Sequence, residues 1–262
     1  MDLNLTGKNA LVCGSTQGIG KAVAVELAQM GANVILVARS EEKLNAVKEV
    51  LHVSGQQQHS YVVADFTKPD ELKQKVQGLV QKIKTIHILV NNTGGPAGGP
   101  LLNAKAEEFT QTFSNHLLCN HLLMQCVAEG MKSAGYGRIV NIISTSVKQP
   151  IKGLGVSNTI RAAVANWAKT LSLELGPFGI TVNNVLPGAT LTQRLTSLLE
   201  AKSQKTGQSI EVLKKEMLDE IPAGRFAEAV EVASAVAFLV SPAAGYINGI
   251  NIPVDGGRTA SL

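Results

Sequence analysis

Short, unbroken apolar runs alternate with stretches of helical spacing along almost the whole of this sequence, and that alternation restricts the fold more than any other feature. The apolar runs fall at 9–13, 34–38, 61–64, 86–90, 138–143, 181–186 and 250–254. Between them, helical spacing predicts helices over 21–30, 41–51, 72–83, 107–131, 157–175 and 230–240. Pro69 stands near the start of the third helix, and Gly176-Pro177 ends the fifth. Strands that read as continuous apolar runs are buried on both faces, as in a parallel sheet covered by helices. Right-handed crossovers then make a doubly wound arrangement. A chain of 262 residues with 45% apolar residues is long enough to form it as one domain, 1–262.

One segment departs from the rhythm. Between 191 and 221 there is no strand, and Leu195, Leu198, Leu199, Val212, Leu213, Met217 and Leu218 are helically spaced around a polar turn at 203–209. The segment follows the carboxyl end of a strand, where ligands sit in open α/β sheets. It is read as a helical lid; the alternative is a helix pair that only packs on the surface.

Composition excludes several classes. No run reaches 18 apolar residues, so no transmembrane helix is expected. The first residues carry neither a basic region nor a long apolar run, so no secretory signal is expected. The net charge of +4 comes from lysines spread among acids, which reads as solvated helix surface rather than a nucleic-acid footprint. Cys13, Cys119 and Cys126 form no disulfide framework, and a reducing cytoplasm is the expected location. The five histidines make no metal signature, so no metal is expected.

The chemistry begins at Gly14-Ser15-Thr16-Gln17-Gly18-Ile19-Gly20, which follows the first strand and opens the first helix. Glycines there permit a tight turn and close approach of backbone to phosphate, and the helix N-terminus offers free N–H groups and a positive dipole end. In this strand–turn–helix context the pattern predicts a Rossmann-type dinucleotide site. The second strand ends at Ala38-Arg39. An acid there would bond the ribose hydroxyls of NAD; Arg39 instead suits the 2′-phosphate of NADP(H).

With these residues in view, the chain resembles the short-chain dehydrogenase/reductases, on the branch of the 3-oxoacyl-carrier-protein reductases. The likeness rests on Gly14, Gly18 and Gly20, on Asp65, and on Asn91-Asn92-Thr93-Gly94. It continues through Asn115 and Ser144 to Pro187-Gly188 with Thr192 and Asp255-Gly256-Gly257. Cys13 stands where the family usually has threonine. The resemblance implies that Asp65 contacts the adenine end, that Asn92 and Gly94 line the cofactor, and that Pro187, Gly188 and Thr192 hold the nicotinamide amide. It assigns catalysis to Asn, Ser, Tyr and Lys. Asn115 and Ser144 match the first two, but Ser157 stands at the tyrosine position and Arg161 at the lysine position.

That departure bears on mechanism. The family tyrosine donates a proton, and a neighbouring lysine cation lowers its pKa. Serine is a far weaker acid, and arginine keeps its proton, so Arg161 can donate hydrogen bonds and hold ribose hydroxyls but cannot shuttle protons. Two readings stay open. One is an oxidoreductase acting on a partly apolar small molecule, with a water held by Asn115, Ser157 and Arg161 as proton source. The other is a dinucleotide-binding sensor or assembly protein without hydride transfer. Lys148, Lys152 and Arg194 could meet an anionic group or be surface charges. The resemblance, with apolar helices over 109–131 and 157–175, implies a homo-oligomer, a tetramer.

Overall fold

The computed structural model describes residues 1–261. Seven parallel strands, β1 (Asn9–Cys13), β2 (Asn33–Ala38), β3 (Ser60–Val63), β4 (Ile88–Asn91), β5 (Gly137–Ile142), β6 (Ile180–Pro187) and β7 (Asn251–Val254), form one sheet in the order β3-β2-β1-β4-β5-β6-β7. The order reverses between β1 and β4, and there the crevice at the strands' carboxyl ends opens.

Side chains alternate between the faces of each strand, so the sheet feeds two cores. Ala10 and Val12 of β1 and Val34 and Leu36 of β2 point to one face. They meet α1 (Gly18–Gln29), α2 (Glu41–Lys48) and α9 (Ala229–Val240) through Val23, Leu27, Leu44, Val232 and Val236. Leu11, Cys13, Ile35 and Val37 point to the other face. They meet α3 (Pro69–Ile83), α5 (Cys119–Ala134) and α6 (Gly155–Leu175) through Leu72, Val76, Leu123, Val127 and Leu171. Each buried aliphatic side chain contributes about 1.5–3 kcal/mol, which is what makes continuous apolar strands stable only inside such layers. The three cysteines are free.

A row of asparagines crosses the sheet at the edge of the crevice. Asn91 Nδ2 donates to Asn141 Oδ1, Asn141 Nδ2 to Asn184 Oδ1, and Asn184 Nδ2 to Asn251 Oδ1, each at 2.8 Å. The four residues are register partners on β4, β5, β6 and β7. A slip of one strand would break buried amide pairs, so the row fixes the register of the strand ends that carry the site.

The single helix expected over 107–131 is not what forms. The segment is α4 (Ala106–Phe113), a π-helical turn (Ser114–Leu118) and then α5. No proline or glycine between 106 and 129 marks the change, and helical spacing does not separate an α-turn from a π-turn. The segment 191–221 contains two helices, α7 (Gln193–Thr206) and α8 (Ile210–Asp219). They share a small apolar cluster of their own around Leu195, Leu199 and Leu213, separate from the two sheet cores. Among the described residues, no helix is long and apolar enough to cross a membrane.

Candidate dinucleotide and active site

The glycine turn is held from two sides. Gly14 has φ +59°, and a Cβ there would stand 2.5 Å from the carbonyl oxygen of Asn92. At Gly20 a Cβ would stand 2.2 Å from the carbonyl oxygen of Gly14, so the first turn of α1 closes directly on the loop before it. Asn92 completes the clamp: its Nδ2 donates to the carbonyl oxygens of Cys13 and Gly14, both at 3.3 Å. Ser15 is buried with its Oγ accepting from Val37 N at 3.0 Å, so its side chain ties the turn to β2. Gln17 is the N-cap residue of α1, with no side-chain cap bond and no acid in the first turn. The amides of Gly18, Ile19 and Gly20 are therefore free of any side-chain acceptor, which fits a pyrophosphate at that helix end. Thr16 and Gln17 line the turn's outer side.

At the end of β2, Arg39 is exposed and lies close enough to Asp65 to act on its charge. The amide of Thr67 donates to Asp65 Oδ1 at 2.9 Å; this bond first, then the Thr67 hydroxyl, and then the positive charges of Arg39 and Lys68, hold the carboxyl below its usual range. An arginine and an ionised aspartate thus flank the place where an adenosine ribose would end.

The other end of the crevice gathers residues from four elements. Thr192 caps α7, its Oγ1 accepting from Leu195 N at 3.4 Å. A side chain on Gly18 would meet its methyl group at 3.1 Å, so the segment after β6 lies against the glycine turn. Pro187 ends β6, and Gly188 donates its N–H to the carbonyl oxygen of Val254 at 2.9 Å. Ser144 follows β5, with its Oγ accepting from Ser146 N at 3.1 Å. Ser157 and Arg161 are buried one turn apart on α6, hence on one face of it. The guanidinium of Arg161 donates from Nη1 to the carbonyl oxygen of Ile142, the last residue of β5, at 3.2 Å. Asn115 lies in the π-turn, its Oδ1 accepting from Gln111 Nε2 at 2.7 Å.

Two further residues join this end, His116, absent from the expected set, and Arg194, expected there only as an anion contact or a surface charge. His116, the next residue of the π-turn, is buried, and its Nδ1 is 2.7 Å from Thr93 Oγ1. Burial, and then the charge of Arg161, push its pKa down to about 3, so it is a neutral imidazole near pH 7. Arg194 of α7 donates to the carbonyl oxygen of Pro96. Burial lowers the Arg161 pKa to about 10, with Arg194 adding to it, and the guanidinium stays protonated at neutral pH. The signal for His116 and Arg194 is spatial: His116 is buried in the π-turn, and Arg194, exposed on the first turn of α7, turns its guanidinium to the loop at Pro96, and neither follows from residue spacing.

No tyrosine replaces the one expected at position 157. The hydroxyl of Tyr61 donates to Glu41 and that of Tyr136 to the carbonyl oxygen of Val240, while Tyr246 is fully exposed. The arrangement can hold a dinucleotide along the crevice and present protonated guanidinium and hydroxyl donors at its far end. Among the described residues, no cluster of histidine, cysteine and carboxylate side chains is arranged to hold a metal ion.

Comparison with known proteins points the same way. Residues 14–259 match the family model described as Enoyl-(Acyl carrier protein) reductase. The chain is 33% identical over 255 residues to a 3-oxoacyl-acyl-carrier-protein reductase of Vibrio cholerae, covering 97% of this chain and 98% of that protein. It is 30% identical over 262 residues to an NADPH-dependent reductase of Bacillus subtilis, covering 98% and 100%. Among solved structures, L-sorbose reductase of Gluconobacter frateurii, complexed with NADPH and L-sorbose, superposes with a TM-score of 0.92 at 29% identity over the whole of both chains.

Proposed function

Since the chain belongs to the short-chain dehydrogenase/reductase family, we propose that it is an NADP(H)-dependent oxidoreductase that interconverts a carbonyl compound and its alcohol. The observation that carries this reading is the continuity of the crevice. The uncapped glycine turn, the Arg39 and Asp65 pair, and the Ser144, Ser157 and Arg161 end all open at the carboxyl edge of one sheet.

The residues divide the work as follows. Free amides at Gly18–Gly20 receive the pyrophosphate, and Asn92 keeps the turn in shape from below. Arg39 receives the 2′-phosphate. Pro187, Gly188 and Thr192 would hold the nicotinamide amide, and Gly94 would line the cofactor beside them. NADPH, when bound along these residues, would supply the hydride for the substrate carbonyl carbon. Ser144 and Ser157 donate hydrogen bonds to the carbonyl oxygen, and Arg161, fixed by Ile142, stabilises the charge that gathers there. A water among Asn115, Ser157 and Arg161 passes a proton to the strongly basic alkoxide and regains one from solvent, because neither serine nor arginine can end the reaction without its own proton. General acid catalysis is worth about 10²–10⁴-fold, so an enzyme lacking the tyrosine loses part of its acceleration and keeps what positioning and electrostatics supply.

The absence of any tyrosine at this end favours a second reading, a dinucleotide-responsive protein without turnover. Calorimetric titration with NADPH, followed by NADPH consumption with a panel of ketones, separates them: saturable binding with turnover supports the oxidoreductase, and binding without turnover supports the sensor.

The assembly is part of the proposal. Phe113 and Leu118 on the α4 and π-turn segment and Leu173 on α6 are exposed apolar side chains, which support a homotetramer built on these helices. Light scattering at micromolar concentration should give the mass of an oligomer; a monomer's mass refutes this part.

A further inference from the structure

Two guanidinium groups meet at the substrate end of the crevice without an acid between them. Arg161 is buried on α6, and Arg194, exposed to solvent, reaches toward it from the first turn of α7. Both point at Gly95, in the loop after β4. A Cβ at Gly95 would stand 3.4 Å from Nη2 of Arg194 and 3.5 Å from Nη2 of Arg161. Among the described residues, no carboxylate lies within 4.0 Å of either guanidinium, although the chain pairs other arginines, Arg225 with Glu231 and Arg258 with Glu220. Their polar partners are single backbone carbonyl oxygens: Arg161 bonds Ile142 through Nη1, which leaves its Nη2 without an acceptor, and Arg194 bonds Pro96 through Nη2, which leaves its Nη1 and Nε without one. The other titratable side chain here, His116, is neutral and supplies no negative charge.

Like charges held this close, one of them buried, are costly unless an anion joins them. The space between them is one that any side chain at position 95 would begin to fill, and the sequence has glycine there. We infer that the substrate carries a carboxylate, and that Arg194 and the free Nη2 of Arg161 clasp it across Gly95 while the carbonyl beside it faces Ser144, Ser157 and the rest of the Arg161 guanidinium. A planar carboxylate suits guanidinium donors, and the charge-assisted bonds both bind and orient the molecule. This rests on the oxidoreductase reading for the reaction, but the binding claim stands apart from turnover. The free phosphates of the cofactor are a different occupant: the glycine turn and Arg39 already provide for them at the other end of the crevice.

The test uses the full-length protein saturated with NADP⁺ and titrated calorimetrically with short and medium oxo acids and with the methyl ester of each. Acids should bind about tenfold to a hundredfold more tightly than their esters, as expected for a charge-assisted bond. In Arg194→Ala that preference should fall by a similar factor, while the Kd for NADPH holds. Gly95→Ala, which narrows the space between the guanidiniums, should also lower the preference and serves as a second variant on another element. Equal affinity for acid and ester in the wild type overturns the inference. So does an Arg194→Ala protein that loses NADPH affinity with its acid preference intact, since Arg194 would then serve the cofactor. Acid binding with no NADPH consumption by any acid or ketone supports the anion site and sinks the oxidoreductase reading instead.

Discussion

Gly20 and Gly14 stand so close that a Cβ on the first would lie 2.2 Å from the carbonyl oxygen of the second. The contact is backbone to backbone, so no side-chain rotation relieves it. Gly20→Ala should therefore push the first turn of α1 away from the loop and disturb the amides that receive the pyrophosphate. Overpacking of this kind costs about 1–3 kcal/mol, so NADPH affinity should fall by about tenfold to a hundredfold. Calorimetry measures it, with circular dichroism to show that the sheet and helices persist; an unchanged Kd would place the cofactor elsewhere.

At the adenosine end, Arg39 should set the choice of cofactor. Arg39→Asp puts a carboxylate where a 2′-phosphate would sit and restores a group able to bond ribose hydroxyls. NADPH affinity should drop by about tenfold to a hundredfold, with NADH gaining relative to it. Parallel titrations with the two cofactors decide this, and an unaltered preference would assign the phosphate to another residue.

His116 gives the fold a pH dependence whose sign is fixed. Its pKa in the folded chain is about 3 and its ordinary value is 6.5. Between these values the unfolded chain takes up a proton that the folded chain refuses, so stability is full above pH 6.5 and falls as pH drops toward 3. From pH 7.5 to pH 5 the loss from this one residue is roughly 2 kcal/mol. Urea unfolding at both pH values should show a smaller loss in His116→Gln than in the wild type; equal losses would mean that the imidazole is protonated in the folded state.

Much of this molecule was legible in its sequence, because strands buried on both faces must be continuously apolar. The runs at 9–13 and 34–38 match β1 and β2 to within a residue. The glycine turn was legible for a related reason: positions such as Gly14 and Gly20 exclude side chains by contact with named backbone atoms. The π-turn at 114–118 was not, since the same helical spacing serves both kinds of turn, and with it His116 escaped notice. Asn91 reads in the sequence as half of an Asn-Asn pair, yet it faces Asn141 within the sheet while Asn92 turns to the glycine loop. Neighbours in sequence on a strand point to opposite sides, and only the register shows which of the two meets the site. Arg194 and Arg161 are 33 positions apart, and nothing in their spacing tells that both reach Gly95.

The central claim is that the end of the crevice built around Arg161 performs hydride transfer from NADPH without a tyrosine. Its most direct test is the initial rate of NADPH consumption across a panel of ketones and oxo acids, wild type against Arg161→Ala, each at saturating cofactor. The account predicts turnover by the wild type with at least one substrate and a fall of about a hundredfold or more in kcat for the variant, because a buried, charge-assisted donor is lost at the place where charge gathers. Equal turnover in both proteins would place the active centre elsewhere, and a wild type that binds NADPH but consumes none would contradict the claim outright.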